Sequence, residues 1–419
     1  MIHKSVVWTV VIAGLAFVAG GWASADESAP PIEELVAAAL ANSPMIAAQR
    51  ARLGAALEFV SPAGALEDPM LETGGAFAVM DGEPEFSTAT LELSQEIPLG
   101  GQRGMRRDAA SADADARRVA LVRTEREIAM NVRMAYAELY ELDREIAYLA
   151  AAREHLKLIS AAAAARYAAG ESDQEALLKA QIAVSRLMER QAELDSERAV
   201  LVAEMNRLLD RSGDAPLGTV AGLPEIEWPA WADESVAPTT PDVREREAGI
   251  EASEHRRDAA KKDLWPDLIV GVGGGVERNW VDGGQMPMGM ARLGITLPIW
   301  QAARQRPMIR AAEQERAMAA AEKRDAEATA RSALTRLRAG WQKTNRQVTL
   351  FREAIVPQTH AALDAARAAY LAGRGDFSMV VEDFNMWLDA RVELAGREAE
   401  RYRIWSELDA LRPMDAGGK

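Results

Sequence analysis

The sequence contains no cysteine. That excludes a disulfide framework, thiolate metal ligands, cysteine nucleophiles and lipidation through an N-terminal cysteine. Histidine is scarce: His3, His155, His255 and His360 are the complete set, and none falls in an H-x-x-x-H or similar ligand spacing. No Ser/His/Asp arrangement stands out, so the residues give no support to enzyme chemistry or to a cofactor. Gly271 to Gly275 superficially resembles a nucleotide loop, but it lacks the sixth glycine and no helix follows. It reads instead as a strand that needs small side chains. Excess positive charge is absent as well. The net charge is −15 over 419 residues, which disfavours nucleic acid as a partner. Beyond the N-terminus no segment approaches ~18 consecutive apolar residues, so no transmembrane helix is expected.

What is present begins with a leader. His3 and Lys4 give a positive start, Val6 to Ala19 is apolar, and Ala23-Ser24-Ala25 fits a cleavage site. Residues 1–25 therefore read as a secretory signal peptide; a retained N-terminal anchor is the alternative, against which stand the short apolar stretch and Gly14, Gly20 and Gly21. The remainder reads as one layout repeated. Pro44 and Pro69 are matched by Pro241 and Pro266 at an offset of 197, Ile97-Pro98-Leu99 by Leu297-Pro298-Ile299 at 200, and Tyr167-Ala168-Ala169-Gly170 by Tyr370-Leu371-Ala372-Gly373 at 203. A repeat this long implies a duplicated domain rather than a solenoid. The expected organisation is a first repeat at 26–210, a Pro-rich connection carrying Trp228 and Trp231 at 211–240, a second repeat at 241–412 and a tail at 413–419.

Each repeat carries two textures. Ile128, Val132, Ala135, Leu139, Leu142, Ile146 and Leu149 alternate steps of four and three, the heptad seam of coiled-coil packing. The rod from Gly101 to Ala168 would extend about 100 Å. After Gly170 the stripe Leu177, Ala180, Val184, Leu187, Leu194, Leu201, Met205 and Leu208 returns, so a long antiparallel hairpin is expected. The second half repeats it from Ala311 to Leu411, with Gly373 and Gly375 at the turn and Pro357 expected to kink the outward rod. The first helix is expected to run unbroken from Ile32 to about Leu66.

The other texture has period two. Ala89, Leu91, Leu93 and Ile97 alternate with Thr90, Glu92, Ser94 and Glu96; Ala291, Leu293, Ile295 and Leu297 alternate with Met290, Arg292, Gly294 and Thr296. Met70 to Met80 and Leu268 to Arg278 precede them as further strands. Segments of about 10 residues, apolar on one face and polar on the other, suit a barrel wall between lipid and water. Four strands cannot close a barrel, and unpaired edges in hydrocarbon cost several kcal/mol per group. The chain must then oligomerise. Two copies give eight strands and three give twelve; periodicity does not choose.

Leu93-Ser94-Gln95-Glu96-Ile97-Pro98-Leu99-Gly100-Gly101-Gln102-Arg103, its partner Leu293 to Trp300, the two Tyr-x-x-Gly tips and Ile355-Val356-Pro357-Gln358 resemble the TolC-like outer-membrane efflux proteins. The resemblance covers about Ile32 to Leu411. The Leu-Gly-Gly-Gln-Arg run after Pro98 resembles the heavy-metal branch, the CzcC and CusC type. The resemblance implies a mainly α fold with a small membrane β part: long helical hairpins and four strands per chain, with a homotrimer forming a twelve-stranded barrel and a helical tunnel. It implies location in the outer membrane, extending into the periplasm, and a passive exit duct energised by an inner-membrane RND-type pump through a periplasmic adaptor. Heavy-metal cations are the substrate class this branch implies. The rival readings are a soluble periplasmic coiled-coil scaffold without a pore, and a type I protein-secretion duct.

Site residues follow from both sources. The family's acidic constriction ring falls at Met379 and Glu382, so Glu382 with the adjacent Asp383 carries that expectation; a solvated helix face is the plainer account. Gly170, Glu171, Gly373 and Arg374 form the expected adaptor-docking tips, though the glycines also serve simply to end helices. Trp265, Trp280 and Trp300 suit aromatic girdles at the outer-membrane lipid interface, or ordinary packing. Arg103, Arg106 and Arg107 can meet lipid phosphates or pair with nearby acids. Met286, Met288 and Met290 supply thioethers, soft ligands suited to Cu(I) or Ag(I); methionine is also a generic apolar filler.

Overall fold

The computed structural model describes residues 28–80, 83–169, 174–278 and 284–414. The leader residues 1–25, the tip residues Gly170 and Glu171, Trp280 and the end of the tail lie outside the described residues.

The first helix is two helices, α1 (Ile32–Asn42) and α2 (Pro44–Ala63), rather than one. Pro44 has no N–H to continue the ladder and disfavours helical geometry at Ser43. Ser43 sits at φ −57°, ψ 120°, and the chain restarts with Pro44 in the first turn of α2. Pro241 plays the same part at the start of α5 (Pro241–Lys262).

Between α2 and α5 lie β1 (Met70–Met80), β2 (Glu83–Pro98), α3 (Gln102–Ala168) and α4 (Gln174–Leu208). After α5 come β3 (Asp267–Arg278), β4 (Gln285–Ile295), α6 (Gln305–Leu350), a π turn (Phe351–Ile355), α7 (Val356–Leu371) and α8 (Phe377–Ala410). α3 has 67 residues, a rod of about 100 Å. The path from Gln305 to Leu371 has the same length, because helical turns run unbroken through Pro357. The wider π turn just ahead of it makes room for the ring and for the missing N–H. Pro357 therefore changes the local winding without interrupting the rod.

The core is a seam between rods. Val132, Leu139, Leu156, Leu194, Met205, Phe377 and Phe384 are all fully or nearly fully buried. Many of the remaining buried positions are alanine, which lets the helices approach closely. A smaller core of Ala237, Val243, Leu334, Leu337 and Leu408 packs Trp228 and Trp231 of the connection against α6 and α8. Deep in the main seam Asp143 accepts from Arg198 Nε at 2.6 Å and from the Val220 backbone N–H at 2.7 Å, tying α3, α4 and the connection together. No helix among the described residues is long and apolar enough to cross a membrane.

The strands form one antiparallel sheet in the order β1-β2-β3-β4. Its register puts Leu71, Leu93, Val272 and Ala291 side by side on one face, and Glu72, Glu92, Gly273 and Met290 on the other. An 11-residue strand tilted ~45° rises about 25 Å, the height of a barrel's apolar band. Within the chain, β1 and β4 are edges with one partner each among the described residues.

Candidate functional site

At the far end of the second hairpin the chain turns at Gly373, with φ +73°. Gly373 N–H donates to Tyr370 O at 3.0 Å and Arg374 N–H to Ala369 O at 2.9 Å, which closes the last turn of α7 in a Schellman motif. Asp376 then caps α8 by accepting from Ser378 N–H at 3.1 Å. Gly373 and Arg374 thus form a tight exposed turn, held from beneath by the edge-on contact of Tyr370 with Phe377.

On α8, Val380, Phe384, Trp387 and Leu388 turn inward against the neighbouring helices. The opposite face exposes Met379, Glu382, Met386, Asp389 and Glu393, a stripe with steps of three and four. Glu382 lies within it; Asp383 sits beside it, half-buried. Asp389 and Glu393 were not singled out from the sequence, although the heptad count forward from Met379 reaches both. Partial desolvation of the carboxyl, and then the charge of Glu393, raise Asp389 above the usual range although its side chain remains exposed.

The structure also gathers two histidines whose sequence spacing showed nothing. His155 on α3 meets Trp387 edge-on, with ring centroids 6.3 Å apart, and His360 on α7 approaches the same indole at 5.9 Å. Asp364 faces His360 Nδ1 at 3.4 Å, and the Arg391 guanidinium lies over the indole. No cluster of His, Cys, Asp or Glu among the described residues has a metal-holding arrangement.

At the other end, Trp265 and Trp300 come together at the rim of a cavity of about 370 Å³ where strands meet helices, alongside Glu96, Gln102 and Asp267. Both indoles are well exposed. Arg103 Nε donates to Gly64 O at 2.9 Å and Arg106 pairs with Asp263 at 3.3 Å, so both are engaged within the chain. Above this junction Met286, Met288 and Met290 share the polar face of β4, opposite Glu277, Gly275 and Gly273 of β3. The apolar face bears exposed Leu71, Leu91, Val272 and Leu293, a patch that water would not favour.

Long antiparallel helical hairpins are joined in this chain to a small sheet with one exposed apolar face. The chain belongs to the outer membrane efflux protein family, whose model matches residues 35–209 and 235–412. Its location is the outer membrane, with the helical body reaching into the periplasm. Among solved structures, the outer membrane protein VceC of Vibrio cholerae is similar at 18% identity and a TM-score of 0.76, over 91% of this chain and 96% of that one. CusC gives 18% and 0.79 over 91% and 92% of the two chains. The Campylobacter jejuni CmeC outer membrane channel gives 16% and 0.75 over 93% and 89%. No curated protein matches.

Proposed function

We propose that three copies of this chain, each freed of residues 1–25, close a twelve-stranded barrel and a helical tunnel that together form the exit duct of a three-part efflux assembly. The observation that carries this is the sheet: an apolar face on the outside and two edges that need partners. Pairing β1 of one copy with β4 of the next satisfies those edges without leaving backbone groups in hydrocarbon. The two halves, 26–210 and 241–412, then contribute equivalent hairpins, and 211–240 girdles the tunnel. The duct conducts passively and performs no catalysis. The tips at Gly170, Glu171, Gly373 and Arg374 meet a periplasmic adaptor, and an inner-membrane RND-type pump supplies the energy.

The α8 stripe at Glu382 is the constriction. Three copies of it surround the path with carboxylates, and cations are favoured there. Trp265 and Trp300 mark the periplasmic lipid interface. Heavy-metal cations are the substrate class best matched by Met286, Met288 and Met290 on the water-facing wall, since thioethers bind soft monovalent ions. Planar-bilayer recording tests the duct: the purified protein should conduct and prefer cations. A protein that leaves with the soluble periplasm and never conducts would contradict it. Replacing the three methionines by leucine should lower resistance to silver or copper in cells while leaving conductance intact; unchanged resistance removes the metal reading.

A further inference from the structure

Glu92 and Arg292 occupy the same place in the two halves, at the offset of 200 that relates Pro98 to Pro298. Glu92 lies on β2 and Arg292 on β4, with β3 between them, so the two backbones stand about 10 Å apart. Their side chains nonetheless meet: Arg292 Nε is 3.0 Å from Glu92 Oε1. They meet because β3 presents glycine beneath them. A Cβ at Gly271 would lie 2.6 Å from Glu92 Oε1 and 3.3 Å from Arg292 Cβ, while one at Gly273 would meet the Leu91 backbone oxygen at 2.5 Å and Glu92 Cβ at 3.2 Å. The glycine run is thus a floor, and the ion pair lies across it.

The floor matters because of what stands at its edge. Glu72 on β1 is directly opposite Glu92, and like charges in that position repel. Glu92 is only 6% exposed, and its carboxylate lies against Arg292. Glu96 and Glu277 add negative charge to the same face, and Arg292 is the one cation on it among the described side chains of the strands.

We propose that the Glu92–Arg292 pair is a selectivity element of the barrel wall, separate from the acidic stripe of α8. Arg292 cancels the charge of the buried Glu92, so Glu72 is the carboxylate that the permeating ion meets at this level. This rests on the duct reading, in which the polar face lines the path. It assigns both members of the pair as specificity-determining positions and explains why position 271 of β3 is glycine.

Reversal potentials across bilayers in a KCl gradient at pH 8 test it, with the whole protein and again with Glu382→Gln and Asp383→Asn at the tip. Glu92→Gln unmasks Arg292 and should lower the potassium-to-chloride permeability ratio roughly twofold or more. Arg292→Gln frees Glu92 into the lumen and should raise it. The double variant Glu92→Gln/Arg292→Gln should return close to the parent value. Conducting channels with an unmoved ratio in both single variants overturn the inference while leaving the duct reading standing. Loss of channels in all three variants overturns it too, because the pair would then hold the barrel together rather than set its selectivity. A parent protein that never conducts removes the duct reading itself.

Discussion

At the scale of single residues, three positions have separable consequences. Gly373 holds the left-handed turn that ends α7, and Gly373→Ala should cost about 1–2 kcal/mol at that tip. Hydrogen exchange should find the loss concentrated at the end of α7 and the start of α8. Asp143 is the most buried carboxylate of the helical seam and holds Arg198 and the Val220 N–H together. Asp143→Ala should destabilise the chain by about 3 kcal/mol, because it removes the charge partner of Arg198, which keeps only the Leu217 and Gly218 carbonyls, and leaves the Val220 N–H without an acceptor; denaturant titration measures this. Asp389 predicts a pH effect. Its carboxyl is raised in the folded chain, so folding favours its protonated form, and stability from this group falls as pH rises through the carboxylate range. Asp389→Asn should therefore be more stable than the parent near pH 7, and the difference should vanish on acidification. A difference that grows in acid contradicts the account.

At the scale of elements, the strands and hairpins were legible because their periods differ. Alternation at 88–97 and a heptad seam at 128–149 cannot be mistaken for one another, and both became the elements expected. The unbroken first helix was wrong, because Ser43-Pro44 starts a new one. Pro357 marks a disturbance in the rod, as its missing N–H requires; a π turn absorbs it, and winding of that kind leaves no mark on hydrophobic spacing. Convergence across rods was not legible at all. His155, His360 and Trp387 stand on three helices, and only packing brings them together. Trp387 is nearly buried between those rings, and Trp387→Ala should cost about 3–5 kcal/mol through the cavity it leaves. Thermal unfolding would show this as an early melt of the α7–α8 hairpin.

At the scale of the molecule, the repeat explains both what was legible and what was not. The sequence offsets placed the two strand pairs and the turn at Gly373. They also placed Glu92 and Arg292 at equivalent positions, but their contact depends on β3 lying between them with no side chains in the way. The sequence pointed to Glu382 and Asp383; on α8 Glu382 shares an exposed stripe with Asp389 and Glu393, and Asp383 sits at its flank, half-buried.

The central claim is that β1 of one copy pairs with β4 of the next until three copies close the ring. The absence of cysteine makes a direct measurement possible. Single cysteines placed at Leu71 or Thr73 on β1 and at Ala291 or Leu293 on β4 can be combined pairwise and oxidised in isolated outer membranes. The account predicts that at least one pair yields covalent dimers and trimers on a denaturing gel, with no larger species. Monomer alone for every pair, or a ladder continuing past three, would contradict it.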